Sequence, residues 1–174
     1  MMVKKDKELI LNWITKKISS EEFWNSFGID RKKFDYILET LNKGFKEENS
    51  ELIEYSLLIY FKSFDGFFNK DNSQILYDLI IENWHRNHED IARIIQKIRD
   101  VNSIPFLVTA MCLNLEYLEY NDGESLIRKC AYALADIDSN ESLLKIKELS
   151  KSENQIIKAS AIEQLDRKNA NLLQ

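Results

Sequence analysis

The sequence predicts an all-α protein, and three observations predict it. Among 174 residues there is one proline, Pro105, and only four glycines, Gly28, Gly44, Gly66 and Gly123. A many-stranded β fold needs more turn formers than that. The apolar residues recur at the three- and four-residue spacing of a helix face. Just before such runs a Ser, Asn or Asp keeps appearing, where its side-chain oxygen can accept from the unpaired amides of a first helical turn.

Taken in order, these marks predict helices over 4–18, 20–27, 30–46, 50–64, 73–84, 88–100, 103–118, 123–137, 140–150 and 153–166. Ser19 with Glu22, Asn87 with Asp90 and Ser152 with Gln155 have the three-residue spacing of a capping box or its close relative. Asp30, Asn49 or Ser50, Asn72, Ser103, Asp122 and Ser139 are the other expected starts. Helix 50–64 is apolar almost all round, through Leu52, Ile53, Leu57, Leu58, Ile59, Tyr60 and Phe61. Helix 103–118 is similar, and both are expected to be covered on two flanks. Helix 88–100 instead carries one stripe, Ile91, Ile94, Ile95 and Ile98. The connections are short, so successive helices should be neighbours. The loosest is Asp65–Asp71, where Gly66 precedes Phe67 and Phe68 and the aromatics are expected to cover core. No Pro-, Gly- or Ser-rich stretch marks a boundary, which predicts a single domain over 1–174.

A shift of 30 residues aligns two of these helices. Leu126-Ile127-Arg128 falls on Ile156-Ile157-Lys158, and Cys130-Ala131 falls on Ser160-Ala161. Paired small residues let a neighbouring helix approach while the aliphatics fill the seam. Each aligned helix follows a partner, so a helical hairpin recurs at a near-constant period. Arg128 and Lys158 are expected to bridge acids of the adjacent repeat, with Asp136 and Asp138 nearby. Glu163 and Gln164 stand where the first copy has Ala133 and Leu134, which reads as the more polar face of a capping unit.

Ile127–Ile137 resembles the second helix of the short bacterial HEAT-like repeat, and Glu141-Ser142-Leu143-Leu144 resembles the opening of the next repeat. The resemblance covers residues 88–167 and implies a short right-handed α-solenoid of HEAT-like hairpins, about ten helices in all. The helix pairs would occupy 71–174, behind an irregular N-terminal helical cap at 1–70. Trp84–Ile91 and Tyr117–Gly123 are similar to segments of small bacterial HEAT-like immunity proteins of polymorphic toxin systems. That similarity implies a protein-interaction module that binds and neutralises a cognate toxin. HEAT-like folds also serve as scaffold or assembly subunits and as DNA glycosylase-type nucleic-acid binders, so both remain alternatives.

Net charge is −5, unevenly spread. Residues 1–46 hold ten Lys/Arg against seven Asp/Glu, residues 47–100 six against eleven, and residues 101–174 eight against eleven. An acidic body does not suit a duplex-nucleic-acid or anionic-membrane binder, which lean on clustered Lys and Arg. It suits a basic protein partner reached by long-range steering. No apolar run approaches a bilayer span and Met1–Asp6 lacks the apolar region of a signal peptide, so a cytoplasmic location is expected. Cys112 and Cys130 both read as small buried hydrophobes.

Glu116, Glu119, Asp122 and Glu124 interleave with Tyr117 and Tyr120, and no Lys or Arg occurs between Asp100 and Arg128. Tyrosines among carboxylates can supply rigid contact area while the acids select a basic partner. Glu116, Tyr117, Glu119, Tyr120 and Asp122 are therefore the expected partner-binding residues, joined by Trp84, His85 and His88. The two histidines, with Glu89 and Asp90, lack the His-Glu-x-x-His order and a remote third ligand, so no metal is expected. No phosphate loop, dinucleotide fingerprint, nucleophile elbow or paired C-x-x-C occurs. Neither an enzyme activity nor a cofactor is expected.

Overall fold

Every regular element among the described residues is helical in the computed structural model, which describes residues 4–28, 31 and 33–171. They divide into two compact units, residues 1–67 with 84–86, and residues 68–83 with 87–174.

The first unit holds α1 (Lys4–Ile14), α2 (Ser20–Phe27), α3 (Phe34–Lys46) and α4 (Ser50–Ser63). The predicted capping box forms: the Ser19 hydroxyl accepts from the Glu22 amide at 3.1 Å while Glu22 accepts from the Ser19 amide at 2.7 Å. That bonding holds the Glu22 carboxyl below the usual range. Asn49, rather than Ser50, caps α4, accepting from the Leu52 amide at 3.1 Å. Helix α1 ends before the predicted residue 18 because Lys16 turns left-handed, and Lys17 and Ile18 donate back to the Asn12 carbonyl. The expected cap Asp30 lies outside the described residues.

Helix α1 packs on α2 and α4, and α3 packs on α4. The core between them is aromatic. Trp13 stacks on Phe23 at 4.0 Å with the planes 6° apart, and Trp24 meets both rings edge-on. The Lys62 amine donates to the Trp13 carbonyl in the last turn of α1 and lies 4.6 Å from the Trp13 ring centroid, so a cation finishes the helix end. Helices α3 and α4 come close at Gly44, where a β-carbon would stand 2.7 Å from Ile53 Cδ1. Phe64 is buried, but Phe67, expected to cover core, remains 55% exposed.

The second unit holds α5 (Gln74–Ile80), α6 (His88–Ile98), α7 (Ile104–Ala110), α8 (Glu124–Ile137), α9 (Asn140–Leu149) and α10 (Gln155–Asn171). Two 3₁₀ turns, Val101–Ser103 and Glu116–Asn121, interrupt them. Helix α8 packs against α6, α7, α9 and α10, while α5 packs against α6 and α7, and α9 against α10. The small residues explain this: Cys130, Ala131, Ala133 and Ala135 of α8 are all buried, so neighbours approach on several sides. The 30-residue register recurs in burial. Cys130 and Ser160 are both buried, Ala131 and Ala161 are both buried, and Arg128 and Lys158 are both exposed.

The predicted helix 103–118 does not form as one element. After Ala110 the bonds tighten, with Cys112 donating to the Thr109 carbonyl and Leu113 to that of Ala110, and the chain leaves the helix. The β-branched pair Val108-Thr109 weakens its last turn. Cys112 is consequently exposed, contrary to the expectation, whereas Cys130 is buried as expected. Helix 73–84 ends early, at Ile80.

Several expected caps do other work. Asn87 makes no capping bond, and Asn154 replaces Ser152 as the cap of α10, accepting from the amides of Ile156 and Ile157. The Ser103 hydroxyl donates to the Asp100 carbonyl, and the Asn72 side chain accepts from the Asn69 amide. Asp122 does not cap α8, since it and Gly123 are both left-handed. Ser139 does cap α9, in a box with Ser142.

Candidate protein-interaction surface at residues 116–124

The surface stretch is held from beneath by two apolar residues. Leu115 and Leu118 are buried, and the Leu118 amide closes a turn on the Leu115 carbonyl at 2.8 Å. A 3₁₀ turn repeats every three residues, so burying 115 and 118 turns Glu116, Glu119 and Tyr120 outward. All three are exposed, Tyr120 to 79%. The turn closes through the Asp122 amide on the Glu119 carbonyl and the Gly123 amide on the Leu118 carbonyl, at 3.3 and 3.1 Å. This is the bonding of a Schellman end with Asp122 in the left-handed seat, and it leaves the Asp122 carboxylate in solvent. No ion pair engages Glu116, Glu119 or Asp122 among the described residues.

Tyr117 has a different place. Its hydroxyl lies 2.9 Å from Nδ1 of His88, whose Nε2 lies 2.6 Å from the Glu82 carbonyl. A carbonyl only accepts, so Nε2 carries the proton, Nδ1 accepts, and the Tyr117 hydroxyl donates. Burial pushes the His88 pKa down, the Glu82 contact opposing it. The imidazole therefore serves as a neutral strut that fixes Tyr117 beside the exposed acids.

The eight expected contact residues thus separate. Glu116, Glu119, Tyr120 and Asp122 form the exposed face, and Tyr117 is half-buried at its edge. His88 and His85 are buried, at 0% and 1% exposure, and so cannot be contact residues. A ring that fills core space gains more from burial than it loses, provided its nitrogens are bonded, as those of His88 are. In the first unit Trp84 is half-buried and meets the His85 ring edge-on at 5.1 Å. Both nitrogens of His88 are engaged, so its ring has none to give a metal, and no group of three or more potential ligands occurs among the described residues.

Two polar constellations escaped the sequence reading. Asp100 is 98% buried and accepts from the Tyr77 hydroxyl at 2.9 Å and from the Asn102 amide at 3.1 Å, while Ser73 donates to the same Tyr77 oxygen at 2.7 Å. Burial first, and then the Asp100 carboxylate, raise Tyr77 to about 12. The available signal was local: an Asp two residues before an Asn, at a helix end, is an Asx-turn pattern. The second is a ladder across α6, α8 and α10. Lys129 and Ser125 donate to Glu89, Gln96 and Arg167 donate to Asp136, Tyr132 donates to Glu163, and Lys168 donates to Asp138. Burial opposes the charge on Asp136, but Gln96 and Arg167 hold its carboxyl below the usual range. Arg128 also reaches Glu163, at 3.5 Å, as expected, whereas no ion pair engages Lys158 among the described residues. Of the two residues expected to make the terminal helix more polar, Glu163 is exposed, but Gln164, at the Leu134 position, is fully buried with neither amide atom bonded.

Comparison with protein-family models, with curated proteins and with solved structures finds no match. No helix is long and apolar enough to cross a membrane among the described residues.

Proposed function

We propose that this chain is a cytoplasmic, non-enzymatic protein-interaction module, in the specific form of an immunity protein that neutralises a bacterial toxin. The observation that carries the reading is the exposed, unpaired set Glu116, Glu119 and Asp122 around Tyr120. A 79% exposed tyrosine flanked in sequence by exposed carboxylates, with no Lys or Arg between residues 101 and 127, suits an aromatic anchor with acidic selection of a basic partner domain. The second unit is read as a short HEAT-like α-solenoid of three hairpins, α5–α6, α7–α8 and α9–α10. Its support is that alternate helices lie side by side, α5 on α7, α6 on α8 and α8 on α10.

The test is recovery of the partner from the native host, with wild-type protein and Glu119→Lys/Asp122→Lys as baits, followed by association kinetics. Charge reversal is expected to slow association about tenfold in low salt, and less as salt screens the field. An unchanged on-rate would remove this surface from the interface. Exposed Leu144 and Ile162 on the last hairpin favour a second reading, an assembly subunit. A stable homo-oligomer in size-exclusion chromatography coupled to light scattering would select it.

A further inference from the structure

Beside the acidic face the second unit has a cavity of 270 Å³, between the 111–115 turn, the 116–121 turn, the start of α8 and the cap of α10. Its volume falls just short of the roughly 300 Å³ at which small-molecule pockets begin, so it suits one side chain. Buried Leu115, Leu118 and Ile127 form its apolar side, while Asn114, Asn154 and exposed Glu119 and Asp122 belong to the larger, polar part of its wall. No cation between residues 101 and 127 neutralises it, so a positive charge must come from outside the stretch.

We propose that this cavity seats the side chain of an arginine presented by the protein partner. The apolar side takes part of the alkyl stem and the polar wall, with its two carboxylates, takes the head group, as long cationic side chains bury their stems and keep the charge among polar partners. Arginine fits better than lysine because its planar fork has five N–H donors for the oxygens of two separate carboxylates, and it gives up hydration more readily. The assignment rests on the reading of this surface as a partner-binding one and adds which group docks there.

Cys112 makes the seat testable without the partner. It is exposed on the cavity wall, whereas Cys130 is fully buried, so iodoacetamide reports on Cys112. Hexa-arginine in low salt is expected to slow alkylation of the full chain about threefold when present at twice its dissociation constant. Hexa-glutamate should leave the rate unchanged and hexa-lysine should protect less. Glu119→Gln/Asp122→Gln should lose the protection, while Glu54→Gln/Glu141→Gln, with the same net charge, should keep it.

Absence of protection, or protection that survives Glu119→Gln/Asp122→Gln, overturns the seat. Equal protection by hexa-lysine overturns the choice of arginine. If partner capture fails with Glu119→Lys/Asp122→Lys while hexa-arginine protects nothing, the interaction surface stands and the arginine seat falls. If hexa-arginine protects while partner association is unaffected by that charge reversal, the cavity holds guanidinium but not the partner's.

Discussion

In the first unit the helices meet through rings, and in the second they meet through small and aliphatic residues bordered by polar pairs. Trp13, Phe23, Trp24 and Phe27 form one aromatic stack that α4 covers, with Phe64 at its edge. Helix α8 instead buries three alanines and a cysteine in quick succession, and its rim residues reach α6 and α10. Large rings give much burial from few residues but tolerate no truncation. A small-residue seam spreads the contact thinly and lets polar rim pairs set the register. The molecule offers a direct way to separate the two behaviours, since all three tryptophans, 13, 24 and 84, belong to the first unit. Tryptophan fluorescence therefore follows the first unit, while far-UV circular dichroism follows both.

The largest expected effect is Trp13→Ala, which removes the 1% exposed centre of the stack. A loss of about 3–5 kcal/mol is expected in urea unfolding followed by fluorescence. A loss under about 1 kcal/mol would mean that the rings are loosely packed. In the second unit Tyr77→Phe takes one donor from buried Asp100 and should cost about 1–3 kcal/mol by circular dichroism. An unchanged midpoint would show that Asn102 alone suffices.

Acid should act on the second unit through two groups. The folded pKa of Asp136 lies below its ordinary 3.8, so its contribution is present above that pH and lost as pH falls through the folded value. His88 is likewise held below 6.5, so the unfolded chain takes up its proton first and stability declines as pH drops from there toward the folded value. Asp136→Asn should flatten the acid limb and His88→Gln the neutral one, read from the pH dependence of the midpoint. Unaltered slopes would assign the pH dependence to other groups. The smallest effect is a gain. Glu48 sits left-handed, φ 47°, in a Schellman end of α3, where Asn49 donates to the Gly44 carbonyl and Glu48 to that of Phe45. Glu48→Gly should stabilise the first unit by about 0.5–1 kcal/mol, and destabilisation would show that the side chain is needed.

The same contrast explains what could be read beforehand. Helices α8 and α10 were legible because a seam against neighbours demands small residues at fixed spacing, which a shift of the sequence exposes. The aromatic stack has no period, so Trp13 meeting Phe23 could not be anticipated. Residues 111–123 misled the reading because Met111, Leu113, Leu115 and Leu118 are apolar at intervals that a helix also allows. Their distribution between buried 115 and 118 and half-buried 113 follows from a turn and a 3₁₀ segment. The exposed acids were legible from charge, and Tyr120 from its place among them. The histidines were not, because a bonded buried imidazole and a surface one look alike in sequence.

The ladder of side chains across α8 and α10 has a further consequence, for how such a chain can grow. Its bonds span 30 or 31 residues, through Asp138 and Lys168, Tyr132 and Glu163, and Asp136 and Arg167, whereas those from α6 to α8 span 36 or 40. The longer separation accommodates the extra turn at 111–123, so a 30-residue shift aligns α8 with α10 and leaves α6 out. One step beyond Asp136 stands exposed Asp166, and one step beyond Tyr132 stands Ile162, 40% exposed. On the proposed solenoid reading, an engineered copy of the α9–α10 hairpin, appended there, would find a carboxylate waiting for its arginine and an aliphatic patch to cover.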